Sequence, residues 1–555
     1  MDMRILTEVG VPVTMRDGTT LLADVHRPDS PDPVPTLLMR TPYGRSMALG
    51  NQFFEELRFV RQGYAVVVQD VRGRFDSGGE FYPFRNEAAD GVETIGWAAR
   101  QPWSTGRVGM IGASYVGTTQ WLPAADDPPA LGAIAPIVTA ADYRDGWVYR
   151  GGAFELGFTL QWTLSLCDDV ATRRVADGSG PADLVERVRD AQDRIESLYG
   201  GLDAETEDLI RTLAPWYDHW RAHPERDDAW PSIAPDIRPG ATVAPALDIG
   251  GWHDVFLEGT LDGFTLQRAA AMTAGRPGPR LVIGPWAHSV YTGTFPGRRY
   301  GVRSAMDVMG IVDEQVRWFD RWLRDRPNGV EKMPPVRLFV MGADRWRDFD
   351  DWPPPGVEPW TLHLRSSGGD EPGLAPEPPA ADQAVDALMF DPGSPVPTIG
   401  GGTLLTAGTI AERVGPADVA GLTKRDDTLA YLSAPFDRAR TVIGPVELRV
   451  YATAPVSSFD LAAQLADVAP GGRWELLVNG ILRVRDGDAT TERIVELGST
   501  AATIPPGHRI GLLLAASDFP RFDLNPTASD AGGTAIAIEH TALRPSRLVL
   551  PILPE

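Results

Sequence analysis

The sequence predicts an α/β domain interrupted by a helical insertion and followed by an all-β domain. Three observations carry that prediction. Short apolar runs alternate with helical segments over residues 1–140 and again over 241–345. Between them, residues 141–240 lose the strand-and-loop texture and turn helical and aromatic. From 346 to 555, period-two alternation takes over and helix signals nearly vanish.

The elements follow in order. Residues 11–15 and 19–25 are alternating runs on either side of Arg16-Asp-Gly18, which predicts a hairpin. Residues 37–39 and 64–68 are short apolar runs bounded by turn residues, as in parallel strands buried on both faces. A helix is predicted over 90–100, a strand over 108–111 and a helix over 115–125. In the insertion, Leu184, Val185, Val188, Ala191, Ile195 and Leu198 recur at helical spacing, and the segment is placed like a cap. Strand texture resumes at 246–249 and 281–283, each run followed by a glycine-rich loop. Residues 308–323 predict one amphipathic helix with Val308, Ile311, Val312, Phe319, Trp322 and Leu323 mainly on one side. Pro353-Pro-Pro355 marks a rigid connection. Beyond it, Val446-Glu-Leu-Arg-Val450 and the short runs flanking Asn479-Gly480 read as a β-sandwich, and 370–381 is a Pro- and acid-rich surface loop.

Composition narrows the function classes. A chain of 555 residues exceeds one core and implies several domains. The net charge of −23 argues against nucleic acid and anionic membranes as partners, since both need basic patches. Cys167 is the single cysteine, so no intrachain disulfide forms and a cysteine-based metal site is disfavoured. The N-terminus lacks an apolar signal core, and no apolar run reaches about 18 residues, so a cytoplasmic protein without a membrane span is expected.

The chemistry is carried by Val108-Gly-Met-Ile-Gly-Ala-Ser-Tyr-Val-Gly117. An apolar strand ends in a tight turn that holds Ser114 between small residues and the start of a helix. This is the nucleophile elbow of α/β-hydrolases, with the second glycine one place later than in the usual G-x-S-x-G. Serine needs a base, usually histidine, oriented by a carboxylate, and the chain order in this fold is Ser, acid, His. Of the eight histidines, His288 lies just past the run at 281–283, where the base belongs. His253 is the other candidate, following the run at 246–249, and its neighbour Asp254 occupies the orienting position. Asp248 is expected within that strand or at its end. The predicted triad is Ser114, Asp254 and His288. An oxyanion needs donors: the backbone N–H of Tyr115 is one, and the phenol of Tyr43, in the loop Arg40-Thr-Pro-Tyr-Gly44, can be the second. A packing role for Tyr43 stays open on the residues alone.

These motifs resemble the cocaine-esterase-type serine hydrolases (CocE/NonD), a bacterial group related to X-Pro dipeptidyl peptidases of the S15 type and to α-amino-acid ester hydrolases. The matching pieces are Arg40-Thr-Pro-Tyr-Gly-Arg45, Gln69-Asp-Val-Arg-Gly-Arg-Phe-Asp-Ser-Gly-Gly79, the Ser114 elbow with Gln120-Trp121, Gly251-Trp-His-Asp254, Gly284-Pro-Trp-Ala-His288, Met341-Gly-Ala-Asp-Arg-Trp346 and Asp426-Asp-Thr-Leu-Ala-Tyr431. The resemblance implies an α/β-hydrolase domain, a helical cap and a C-terminal jelly roll. It also implies the same triad, with Tyr43 and Tyr115 as the oxyanion hole. The Arg72–Gly79 loop reads as an ion-paired structural loop beside the site. Phe256, Trp147 and Trp162 are placed to wall a flat apolar acyl pocket, resembling that of the group. Leu404 and Leu405 are expected to add to it, although Thr406 is smaller and more polar than the resemblance leads one to expect.

The function expected first is hydrolysis of an ester or amide of an uncharged acyl group, aromatic included, through an acyl-enzyme, with no metal or organic cofactor. The alternative is an X-Pro dipeptidyl peptidase or an α-amino-acid ester hydrolase. The latter group carries an acidic pair two and three residues after the catalytic Asp, where this chain has Phe256 and Leu257. A carbohydrate-binding protein on a dead hydrolase fold is the distant third reading. The only partner expected is a small-molecule substrate, with a homodimer left open.

Overall fold

The apolar runs between Ile5 and Phe349 pair into a single sheet. The computed structural model describes residues 4–47, 55–233, 239–366, 373–379, 385–405, 414–486 and 491–554. Its ten-stranded sheet comprises β1 (Ile5–Thr14), β2 (Thr20–Pro28), β3 (Val34–Thr41), β4 (Ala65–Asp70), β5 (Ser104–Ala113), β6 (Leu131–Ile137), β7 (Leu247–His253), β8 (Arg280–Ala287), β9 (Val336–Val340) and β10 (Arg345–Phe349). The spatial order is β1-β2-β4-β3-β5-β6-β7-β8-β9-β10. All pairs from β4 to β9 are parallel, and the pairs β1–β2, β2–β4 and β9–β10 are antiparallel. Strands β4, β7 and β8 are buried at every residue, which explains why they read as continuous apolar runs. The chain turns one way from β3 to β4 and the other way to reach β5. That reversal opens a crevice beyond the carboxyl ends of β3 and β5, where ligands of open α/β sheets bind.

Two elements differ from their sequence patterns. The helix expected over 308–323 is two helices, Met306–Met309 and Ile311–Arg324, separated by Gly310 at φ +79°. The left-handed residue breaks the register, so Val308 is exposed while Ile311, Val312, Phe319 and Leu323 pack under the sheet. The sheet also runs on to Phe349, past the change of texture at 345, because β10 is an edge strand of alternating charged and aromatic residues.

Between β6 and β7 the chain leaves the sheet to build the cap. Its long helix, Leu156–Ala176, and the helices Leu184–Asp193, Ala204–Leu213 and Pro215–Ala222 enclose an aromatic core that includes Trp147, Trp162, Trp216 and Trp220. Beyond Glu358 the described strands form two antiparallel sheets. The runs flanking Asn479 and Gly480 join into one strand, Trp474–Val484. A Cβ on Gly480 would fall 2.0 Å from the Glu496 carbonyl, so glycine here admits the neighbouring strand. Among the described residues, no helix is long and apolar enough to cross a membrane.

Candidate active site

Ser114 sits at the turn between β5 and the helix Tyr115–Ala124, with φ 60° and ψ −126°. Side chains rarely adopt this backbone, and the surroundings hold it. The Ser114 N–H donates to the Ile137 carbonyl at 2.9 Å, and its own carbonyl accepts from Gly117 N–H at 2.8 Å. Two glycines make room for the turn. A Cβ on Gly112 would lie 2.2 Å from Val116 Cγ1, and one on Gly117 would lie 2.6 Å from Thr139 Cβ. The displaced second glycine of the motif therefore has a steric reason: residue 117 is where the helix crosses the end of β6.

Strands β7 and β8 end at His253 and Ala287, so Asp254 and His288 begin the loops that follow. His288 Nδ1 is 2.8 Å from Asp254 Oδ2, and His288 Nε2 is 3.0 Å from Ser114 Oγ. A carboxylate oxygen accepts, which assigns the proton to Nδ1 and leaves Nε2 to accept from the Ser114 hydroxyl. The second oxygen of Asp254 accepts from Phe256 N–H at 2.7 Å. The other two candidates lie elsewhere. His253 is buried against Tyr300, 3.2 Å from its hydroxyl, and burial pushes its imidazole down to about 3. Asp248 lies within β7, and burial raises its carboxyl well above the usual range.

Tyr43 follows β3 and lines the same cavity as Ser114; the residue is 36% exposed, with its hydroxyl against the Trp162 indole. Burial raises its pKa, so the phenol keeps its proton at neutral pH. Trp162 Nε1 donates to the Tyr43 oxygen at 3.1 Å. Tyr115 opens the helix, and its N–H has no carbonyl one turn earlier to bond. Its side chain is fully buried, donating to Glu87 Oε1 at 3.0 Å and accepting from Phe84 N–H at 2.8 Å. Arg40 Nη1 donates to the other Glu87 oxygen at 2.7 Å.

The Arg72–Gly79 loop packs on the Tyr43 loop. Arg74 Nε donates to the Pro42 carbonyl at 2.8 Å, and its Nη1 to Leu166 O of the cap helix at 2.7 Å. The Phe75 ring lies over Gly44, where a Cβ would meet it at 2.9 Å. Arg45 pairs with Asp24, Asp70 and Asp76. Charge density marked this loop in the sequence; its bearing on Tyr43 did not show there.

Beside Ser114 lies a cavity of about 310 Å³. Of the five residues expected to wall an acyl pocket, the structure brings Trp162 and Leu404 to its lining. Trp147 and Phe256 are fully buried and stack on each other, ring centroids 4.3 Å apart. Phe256 instead packs edge-on against the His288 ring at 5.2 Å. Leu405 is buried against Gly157, while Leu404 reaches the cavity. Thr406 lies outside the described residues. Sequence reasoning missed Phe158, one turn before Trp162 on the same helix face, together with Met39, Val116 and Val138. The i, i+4 pair Phe158/Trp162 was the available signal.

The cap and the all-β domain both press on the Asp254 loop. Arg150 Nη2 donates to Val255 O at 2.8 Å. Gly402 approaches Asp254 so closely that a Cβ would lie 3.0 Å from its carbonyl oxygen. Glu258, one turn further on, accepts from Ser499 N–H at 2.7 Å and from Ser499 Oγ at 2.9 Å.

A twisted sheet with a serine at this strand-to-helix turn defines a serine hydrolase of the α/β-hydrolase type. Residues 17–290 match the family X-Pro dipeptidyl-peptidase (S15 family), and residues 328–549 match the X-Pro dipeptidyl-peptidase C-terminal non-catalytic domain. The chain is 35% identical to the cocaine esterase of Rhodococcus sp. (strain MB1 Bresler), with 98% of each chain covered. The chain belongs to the X-Pro dipeptidyl-peptidase (S15) family. Its fold is shared by an aminopeptidase from a marine sediment archaeon, Thaumarchaeota archaeon, at TM-score 0.80 and 22% identity over 100% of this chain and 97% of that one. An α-amino acid ester hydrolase has it too, at TM-score 0.79 and 21% identity over 99% and 96%.

Proposed function

We propose that this protein is a serine esterase that cleaves carboxylic esters, or the corresponding amides, of uncharged acyl groups through a covalent acyl-enzyme. The reading is carried by the hydrogen-bonded line Asp254–His288–Ser114, with contacts of 2.8 and 3.0 Å. Ser114 Oγ attacks the substrate carbonyl while its proton passes to His288 Nε2. Asp254 holds the Nδ1 proton and stabilises the imidazolium. The tetrahedral oxyanion accepts from the Tyr43 hydroxyl and the Tyr115 N–H. Collapse breaks the C–O bond to the alcohol, which leaves with the proton from Nε2. Water then attacks the acyl-enzyme with His288 as base, releasing the acid and restoring Ser114.

Two features support an uncharged acyl group. No carboxylate stands among the described residues that line the cavity, and Phe256 and Leu257 follow the Asp254 turn. An α-ammonium group entering there would lose water without gaining a partner. The name of the Rhodococcus relative is in keeping with an esterase.

The test combines labelling with a substrate series. A fluorophosphonate should modify Ser114 and no other serine; an unlabelled Ser114 would return the reading of a binding protein on a hydrolase fold. p-Nitrophenyl butyrate and benzoate should exceed alanyl p-nitrophenyl ester and Ala-Pro anilide in kcat/KM. The reverse order would assign the protein to the aminoacyl-directed enzymes.

A further inference from the structure

The cavity-facing role of Trp162 leaves its indole N–H unexplained. That group points onto the Tyr43 oxygen at 3.1 Å. An indole nitrogen only donates, whereas a phenol carries one proton and accepts on its oxygen. With the Trp162 proton on the oxygen, the single Tyr43 proton is free to be donated elsewhere, and the phenol lines the cavity that it shares with Ser114. Donation onto the phenol oxygen also polarises its O–H and strengthens it as a donor.

The indole has little freedom to swing. Its ring lies parallel to Trp220 at 6.2 Å and 10°, meets Trp147 edge-on at 5.4 Å, and is 7% exposed. The same helix touches the Tyr43 loop at a second point. Leu166, one turn after Trp162, receives Arg74 Nη1 while Arg74 Nε holds the Pro42 carbonyl. The cap helix Leu156–Ala176 is thus fastened to the loop at the phenol and, through Arg74, at the preceding residue Pro42.

From these contacts we infer that Trp162 is a positioning residue for the oxyanion-hole phenol, so that the cap helix completes a hole whose donors it does not itself supply. The inference rests on the reading of Tyr43 as an oxyanion donor. It differs from a wall role, because it uses the indole N–H rather than apolar contact with an acyl group.

A double-mutant cycle on p-nitrophenyl acetate separates the two roles, since a methyl acyl group makes little use of a wall. Trp162→Phe should lower kcat about tenfold, the kinetic equivalent of one neutral hydrogen bond, with KM within about twofold. On a Tyr43→Phe background the same change should alter kcat by less than about twofold, because the phenol it acts through is gone. Full multiplication of the two effects, or an unchanged kcat in Trp162→Phe, would overturn the inference. If Tyr43→Phe alone leaves kcat intact, the oxyanion reading itself has failed; if that variant loses about 10²-fold while Trp162→Phe acts independently, only the positioning role has failed. Should Trp162→Phe not fold, the native side chain still answers. With ¹⁵N-labelled tryptophan, Tyr43→Phe must move one indole N–H resonance upfield, and no movement refutes the hydrogen bond.

Discussion

Gly117→Ala perturbs the elbow without touching a reacting group. The added Cβ would lie 2.6 Å from Thr139 Cβ and 2.7 Å from its Cγ2, where ordinary contact begins near 3.4 Å. Thr139, two residues past β6, is 3% exposed, so it has no open space to retreat into. The helix Tyr115–Ala124 must instead lift by roughly 1 Å, and it carries the Ser114 carbonyl bond and the Tyr115 N–H with it. Overpacking of this kind destabilises by about 1–3 kcal/mol, and a displacement of about 1 Å lowers turnover about 10²-fold. Thermal unfolding and p-nitrophenyl butyrate kinetics read the two effects. Gly263→Ala is the control: its Cβ would find Trp121 at 3.6 Å, an ordinary contact inside a helix, and stability should hold or rise slightly. Gly117→Ala combined with Thr139→Gly moves the bare position to the other partner and should recover most of both losses. Wild-type Tm and kcat in Gly117→Ala, or no recovery in the pair, would refute the steric account of the displaced glycine.

Asp254→Asn should lower kcat by about 10⁴-fold, while Asp248→Asn, at a carboxyl within β7 whose pKa burial raises, should stay near wild type; the opposite ranking in a turnover assay would show that the wrong acid had been chosen. Leu404→Ala should shift selectivity between butyryl and acetyl esters by about 1 kcal/mol, whereas Leu405→Ala, which faces Gly157, should lose about 2–5 kcal/mol of stability and leave selectivity alone. His253→Gln tests linkage. The imidazole is held down to about 3 in the fold against 6.5 normally, so the unfolded chain takes up a proton that the native one refuses as pH falls below 6.5. Stability from this group is therefore present above 6.5 and lost toward 3, and the Tm gap between wild type and His253→Gln should narrow from pH 8 to pH 5; a constant gap would contradict the assignment.

The strands of the sheet were legible because parallel strands buried on both faces carry apolar runs, as Val66–Val68 of β4 and Leu281–Ile283 of β8 show. The order of Ser114, Asp254 and His288 was legible because each follows an apolar run directly. Side-chain direction was not. Trp147, Phe256 and Leu405 lie near the cavity in the chain, yet they turn into the core, a choice settled by packing partners from distant segments. Val308 failed for a local reason, since one left-handed glycine shifts the helix phase.

The Asp254 turn has a bearing on how far this protein divides into modules. Its neighbours come from residue 150 in the cap and residues 402 and 499 in the all-β domain. The matched family describes that last domain as non-catalytic. Yet a polypeptide ended before residue 400 would carry Ser114, Asp254 and His288 in full and still lack the surface that seats the acid. Grafting the hydrolase sheet onto another C-terminal domain would transplant Ser114 and His288 and leave behind the neighbours that seat the Asp254 turn.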